Sequence, residues 1–311
     1  MSTAPNQLRR VDGLWFADGN LVIQAEDTVF RVYGHFLGQH SAIFSDMLAL
    51  PPSLNTESYE GCPLVRLPDS AEDALHFLKA LFDYDYFAPR PAFPIVASIL
   101  RMSHKYEVAP LLQRAIRHLS DQLPTTLKEF RAPQDFEPDP QSVIPLARRL
   151  GLDWVIPAAF YHLCSSTSSA SAILSSVLDD GDKAAYFDGR RILELWESSR
   201  ILDWLWQPPS IQGCASPEQC KAERISVRRY IECVNDTRAN ATTDSVLPLE
   251  VWAEFYWYLP TTPCSICRAY MRTAHQKALE DFWDRLPGTF GLPDWEVLRE
   301  MRDAALTRPT Q

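Results

Sequence analysis

The chain of 311 residues has no run of about eighteen apolar residues, and its start, MSTAPNQLRR, is polar with no apolar stretch after it. That excludes a spanning helix and a secretory leader from the reading, which is an intracellular protein, cytoplasmic or nuclear, with no membrane partner. Positive charge is also scarce: 30 Lys and Arg against 40 Asp and Glu leave a formal net charge of -10. A phosphate backbone is held by clustered cations that release its counterions, so direct nucleic-acid binding is not expected. Only 11 glycines occur, and none falls in a GxGxxG or GxxxxGK[ST] phosphate loop; HExxH and GxSxG are missing too. The seven histidines stand apart at 35, 40, 76, 104, 118, 162 and 275. Asp179, Asp180 and Asp182 suggest the opening of a calcium loop, but Lys183 and Ala185 fall where oxygen ligands belong, so a solvated turn between helices is expected. The enzyme reading therefore has no catalytic constellation behind it.

The most informative stretch is 18–48. Leu21-Val22-Ile23 and Val29-Phe30-Arg31-Val32-Tyr33 flank a polar Gln24-Ala25-Glu26-Asp27-Thr28, the pattern of two strands in a hairpin. Phe36, Leu37, Ile43, Phe44, Met47 and Leu48 then fall three and four apart, which predicts a helix. With Asp18 before the first strand, Phe30 and Val32 on the second, and Leu37, Ser41 and Phe44 in the helical part, the arrangement resembles the heart of a BTB (POZ) domain, closest to those of higher fungi. Tyr33 stands where that family usually has histidine, and His40 where arginine is common. The resemblance runs through Pro63-Leu64-Val65-Arg66-Leu67 to about Leu123.

Further along, Val65 and Leu67 predict a short strand after a loop over 51–62. Ser70 and Asp73 have capping-box spacing ahead of Leu75, Leu78, Leu81 and Phe82, so a helix starts near Ala71. The aromatic run 82–87 suits either an exposed contact surface or a closing core. Val96, Ile99 and Leu100, then Leu112, Ala115, Ile116 and Leu119, predict two more helices. Prolines and acids between 124 and 141 read as a linker. The division is thus a short N-terminal extension (1–17), a BTB-like domain (18–123), a linker (124–141) and a helical C-terminal domain (142–311). The fold class is α+β followed by an all-α region. Helices are expected near 143–150 with a stop at Gly151, from Asp153, in a long span ending before Pro208, over 217–236, 249–259 and 264–286, and from Asp294. The order and spacing of the first of these resemble the BACK type. Lys221, Arg224, Arg228 and Arg229 share one face of the 217–236 helix and read as a solvated face or as a docking patch for an acidic partner.

Seven cysteines in an intracellular chain are expected to be reduced. Four form two close pairs, Cys214 with Cys220 and Cys264 with Cys267, each at a predicted helix start. Two thiolate pairs are one way to fill a tetrahedral zinc site, and four thiolates with no open position make such a site structural. Reduced thiols without metal and a disulfide or redox pairing remain alternatives.

The resemblance implies a protein–protein interaction module. Its class includes substrate adaptors that hold a cullin scaffold of a ubiquitin ligase, and others that only scaffold, self-associate or join transcription complexes. The family's hydrophobic-x-Glu cullin contact has no clear match in this chain, and the space ahead of Asp18 is short for the family's exchanged dimer element. An enzyme or small-molecule binder with its site in the helical region is the competing class.

Overall fold

A computed structural model describes residues 8–50, 57–83, 85–87, 91–132, 139–166, 169–242, 246–259 and 263–307. The contacts divide the chain into two compact units, Met1–Gln122 with Asp303–Gln311, and Leu123–Arg302.

The first unit is built on five strands: β1 (Arg9–Trp15), β2 (Leu21–Ala25), β3 (Thr28–Val32), β4 (Ser58–Tyr59) and β5 (Cys62–Leu67). Their order in the sheet is β1-β3-β2-β5-β4. The hairpin is present: β2 and β3 run antiparallel with Leu21 opposite Val32 and Ala25 opposite Thr28. Glu26 makes the tight turn with φ of 51°. Both strands are apolar on both faces because both faces are covered, which replaces strict alternation by a short apolar run. Segment 1–17 is more than an extension, since β1 pairs in parallel with β3 and joins the sheet. Its Trp15, with Leu8, Tyr59 and Leu64, covers the small core of Val22, Val29 and Cys62. Half of the loop predicted over 51–62 lies outside the described residues, and its end forms β4 against β5.

The described helices of this unit ahead of residue 123 are α1 (Gly34–His40), α2 (Ala42–Ala49), α3 (Ala71–Phe82), α4 (Phe93–Lys105) and α5 (Ala109–Gln122). One helix was expected where α1 and α2 stand. Ser41, extended at φ of -145°, ends the first and caps the second by accepting from the Phe44 N–H at 3.0 Å. The predicted start of α3 is found at Ala71, where the Ser70 hydroxyl accepts from the Asp73 N–H. In the aromatic run 82–87, Phe87 is buried and meets His118 edge-on, Phe82 and Tyr86 are half-buried, and Tyr84 lies outside the described residues.

The second unit begins at Leu123 and takes in the predicted linker. Thr125 and Leu127 are buried, α6 (Leu127–Phe130) is capped by Thr126, and Trp283 donates to the Thr125 carbonyl at 3.1 Å. Proline content alone misread 124–132, whose few apolar side chains find a partner surface in this unit; 133–138 lie outside the described residues. The chain continues through α7 (Pro140–Leu150), which stops at left-handed Gly151, α8 (Ile156–Ser165), α9 (Ala170–Leu174) and α10 (Asp180–Ile192). The long helix expected to end before Pro208 is broken instead. A π turn over Leu193–Glu197 leads to α11 (Ser198–Arg200) and a 3-10 turn over Asp203–Leu205. Then come α12 (Pro217–Thr242), α13 (Ser265–Thr289) and α14 (Trp295–Thr307), of which the residues up to Arg302 belong to this unit. Only a 3-10 turn over Glu254–Tyr258 forms where a helix over 249–259 was expected. The aromatic residues there gather in a cluster with Trp204 and His275 instead of lining one helix face. α13 is the central element: Met271, His275, Leu279, Phe282 and Leu286 are buried at intervals of three and four.

Candidate metal centre

Two local structures bring the paired cysteines together. Gly213, at φ of 80°, turns the chain into Cys214 through a conformation that suits glycine. The chain enters α12 at Pro217, placing Cys220 in the first turn, where its N–H donates to the Ser216 carbonyl. Cys264 is the N-cap residue of α13 and Cys267 lies three positions on, the spacing at which an N-cap side chain meets a free helical N–H.

The four sulfur atoms lie within 4.8 Å of one another, the one such group among the described residues. The Sγ atoms of Cys214 and Cys264 are 3.9 Å apart. A tetrahedron with sulfur about 2.3 Å from zinc has edges of about 3.8 Å, so little movement is needed to receive an ion. All seven cysteines are free thiols, which leaves the disulfide reading without a formed bond. Cys220, Cys267 and Ile211 form the buried floor of the site, with Tyr270 packed against it.

The electrostatics differ from thiol to thiol. The Cys267 N–H at the start of α13 favours the Cys264 thiolate and brings that thiol down to about 7, despite some desolvation. At Cys220 the Cys264 N–H, 3.5 Å away, favours the thiolate, but burial and the neighbouring sulfurs leave it raised. Burial first, then the other three sulfurs, raises Cys267. Four thiolates this close repel one another, and a divalent cation is the group that removes the repulsion.

The surrounding loop is held by two side chains that the charge pattern had assigned to a solvated or docking face. Arg224 and Arg228 are 1% and 6% exposed. Arg224 donates to the carbonyls of Pro208 at 2.7 Å and Pro209 at 3.2 Å. Arg228 donates to the Leu202 carbonyl at 3.1 Å, bonds Glu232 and lies over the Trp206 ring. The broken helix explains the correction: its last carbonyls have no helical partner and a guanidinium supplies several donors at once. Arg229 remains exposed and Lys221 is half-buried. Tyr270 donates to the Gln207 carbonyl, so α12 and α13 both grip this loop beside the cysteines. No pattern along the sequence marks such carbonyl-binding arginines.

The acidic turn at 179–182 is likewise less solvated than expected. Asp179 caps α10 through the Asp182 N–H, and Asp182, 3% exposed, accepts from Arg148.

The residues that carry the BTB resemblance lie together in the first unit. Phe30, Val32, Leu37 and Phe44 are buried. Ser41 joins α2 to the end of α4 by donating to the Tyr106 carbonyl at 2.5 Å. Phe44 and Tyr106 stack at 4.7 Å. Asp18 accepts from the Tyr33 hydroxyl at 2.7 Å, which lowers the carboxyl and raises the phenol. Tyr33 therefore serves as a hydrogen-bond donor to Asp18. His40 keeps its ring within its own helix, against the Phe36 carbonyl.

No helix is long and apolar enough to cross a membrane among the described residues. Comparisons with family models, with curated proteins and with solved structures find no match to this chain.

Proposed function

We propose that the protein is a protein-interaction module of the BTB type whose helical C-terminal unit is stapled by a structural zinc ion. The observation that supports the first part is the joint burial of Phe30, Val32, Leu37 and Phe44 around Ser41, which links the hairpin, the α1–α2 pair and α4 at the positions of the resemblance. In such a module the chain presents one unit to a scaffold and the other to a second protein, and a cullin is the scaffold the resemblance implies. Affinity capture of the tagged full chain from its native cells, identified by mass spectrometry, tests the adaptor role. A cullin that is recovered with the full chain and lost with a version lacking residues 1–123 supports it. Recovery of neither a cullin nor its partners with either version removes the ubiquitin-ligase role and leaves scaffolding.

The zinc reading is supported by four sulfur atoms within 4.8 Å at the starts of two long helices. Bound there, the ion would tie α12 to α13 and fix the loop between Leu205 and Cys214. Metal analysis after reducing, chelator-free purification is expected to give one zinc per chain. A metal-free, fully folded protein under those conditions would falsify this part.

A further inference from the structure

Away from the cysteines, the second unit carries a cleft of about 230 Å³ whose walls are Trp252, Trp257, His275, Arg131, Arg272 and Glu254. It adjoins a larger cleft of about 570 Å³, the two sharing Arg131 and Gln276, and the larger one adds Lys128 and Arg299. We infer that this cleft receives a carboxylate side chain of an acidic peptide segment presented by a partner protein. The inference rests on the protein-interaction reading for the nature of the occupant.

Two observations converge on it. First, the cations are unneutralised. Arg131, Lys128 and Arg299 have no ion pair among the described residues, and Arg272 is engaged only through its stack on the Trp257 ring at 4.7 Å. That is unusual in a chain with ten more carboxylates than cations. Among the described residues the acids on the same walls do not pair with them: Glu280 of the larger cleft accepts from Gln276, while Asp284 and, in the smaller cleft, Glu254 make no ion pair. Second, the walls are rigid. The rings of Trp204, Trp252, Trp257 and His275 touch pairwise at 4.4 to 6.0 Å, so the cleft is preformed. Burial, with the nearby Arg131 charge second, keeps His275 neutral down to about 4, so the charged side chains on the walls of the smaller cleft are the two guanidinium groups and the Glu254 carboxylate.

A guanidinium meets a carboxylate bidentately, and a second cation beside it adds to the attraction. The smaller cleft holds one acidic side chain, and the larger one gives the neighbouring residues of the peptide Lys128 and Arg299 to face.

The test is titration of the full-length, zinc-replete chain with acetyl-hexaglutamate amide, followed by tryptophan fluorescence and calorimetry. Acetyl-hexalysine amide and a hexathymidylate are run in parallel. Saturable binding of the glutamate peptide is expected, with a change in tryptophan emission and at least tenfold weakening in Arg131→Ala with Arg272→Ala. Arg149→Ala, exposed elsewhere in the same unit, is expected to leave it unchanged. Both wall arginines are exposed, so the variants keep the fold; Arg131→Glu serves as a second variant with a stronger loss. No saturable binding, equal binding of hexalysine, or indifference to the arginine variants overturns the inference. Hexathymidylate binding that depends on the same arginines overturns it in favour of nucleic acid. None of these outcomes depends on cullin capture, so the two readings fail separately.

Discussion

The guanidinium of Arg224 donates to the Pro208 carbonyl at 2.7 Å from a side chain that is 1% exposed. One cation thus replaces the helical hydrogen bonds lost where the chain breaks after Leu205. Arg224→Met keeps the apolar stem and removes the donors. Each charged hydrogen bond is worth roughly 1.5–3 kcal/mol, so a loss of about 3 kcal/mol is expected. Arg229→Met, exposed one turn further on, should stay within about 0.5 kcal/mol. Urea denaturation of the two variants measures the contrast, and equal effects would return Arg224 to the solvated face.

Removing the metal is expected to loosen the second unit. Ligands that bind only the folded state stabilise it in proportion to the logarithm of their saturation, about 4 kcal/mol at a thousandfold excess over the dissociation constant. Chelation should therefore lower the melting temperature, and zinc should restore it. Cys264→Ser should do the same, and adding Cys214→Ser should cost little more, because one lost ligand already disables a shared site. Additive losses in a scanning calorimeter would point to four independent thiols.

The pH dependence of stability follows from His275. Its ordinary value of 6.5 falls to about 4 in the folded protein, chiefly through burial. The unfolded chain takes up this proton near pH 6.5 and the folded chain only near pH 4, so stability falls as the pH drops through that window. The loss approaches about 3 kcal/mol at the lower end. His275→Gln removes the titration, so its denaturation midpoint should depend less on pH between 6.5 and 4. An unchanged slope would place the effect in other groups.

Gly189 on α10 faces Phe290, and a Cβ there would lie 2.3 Å from Phe290 Cε1. The ring is itself held in a stack with Phe160 at 4.7 Å and cannot move aside freely. Gly189→Ala, which would favour an isolated helix, is therefore expected to destabilise the protein by about 1–3 kcal/mol, the usual cost of overpacking. A stabilised variant on thermal denaturation would mean the ring relocates.

How much of this was legible beforehand differs by element. The β2–β3 hairpin, the cap of α3 at Ser70, the stop at Gly151 and the start of α12 at Pro217 were readable because each depends on residues within a few positions. The two cysteine pairs were readable as candidates because their spacing suits helix starts. That they meet was not, since 44 positions separate Cys220 from the Cys264 N–H that bonds its sulfur.

The amino-acid sequence by itself determined where strands and helices begin, because capping, turn geometry and apolar periodicity act over a few residues. The tertiary structure decided what those elements hold. It made Arg224 and Arg228 the partners of broken-helix carbonyls, turned β1 into a strand of the sheet, drew 124–132 into the second unit and left Arg131 and Arg272 unpaired beside buried indole and imidazole nitrogens. Those outcomes depend on which groups lose water together, and that is settled only when distant segments pack.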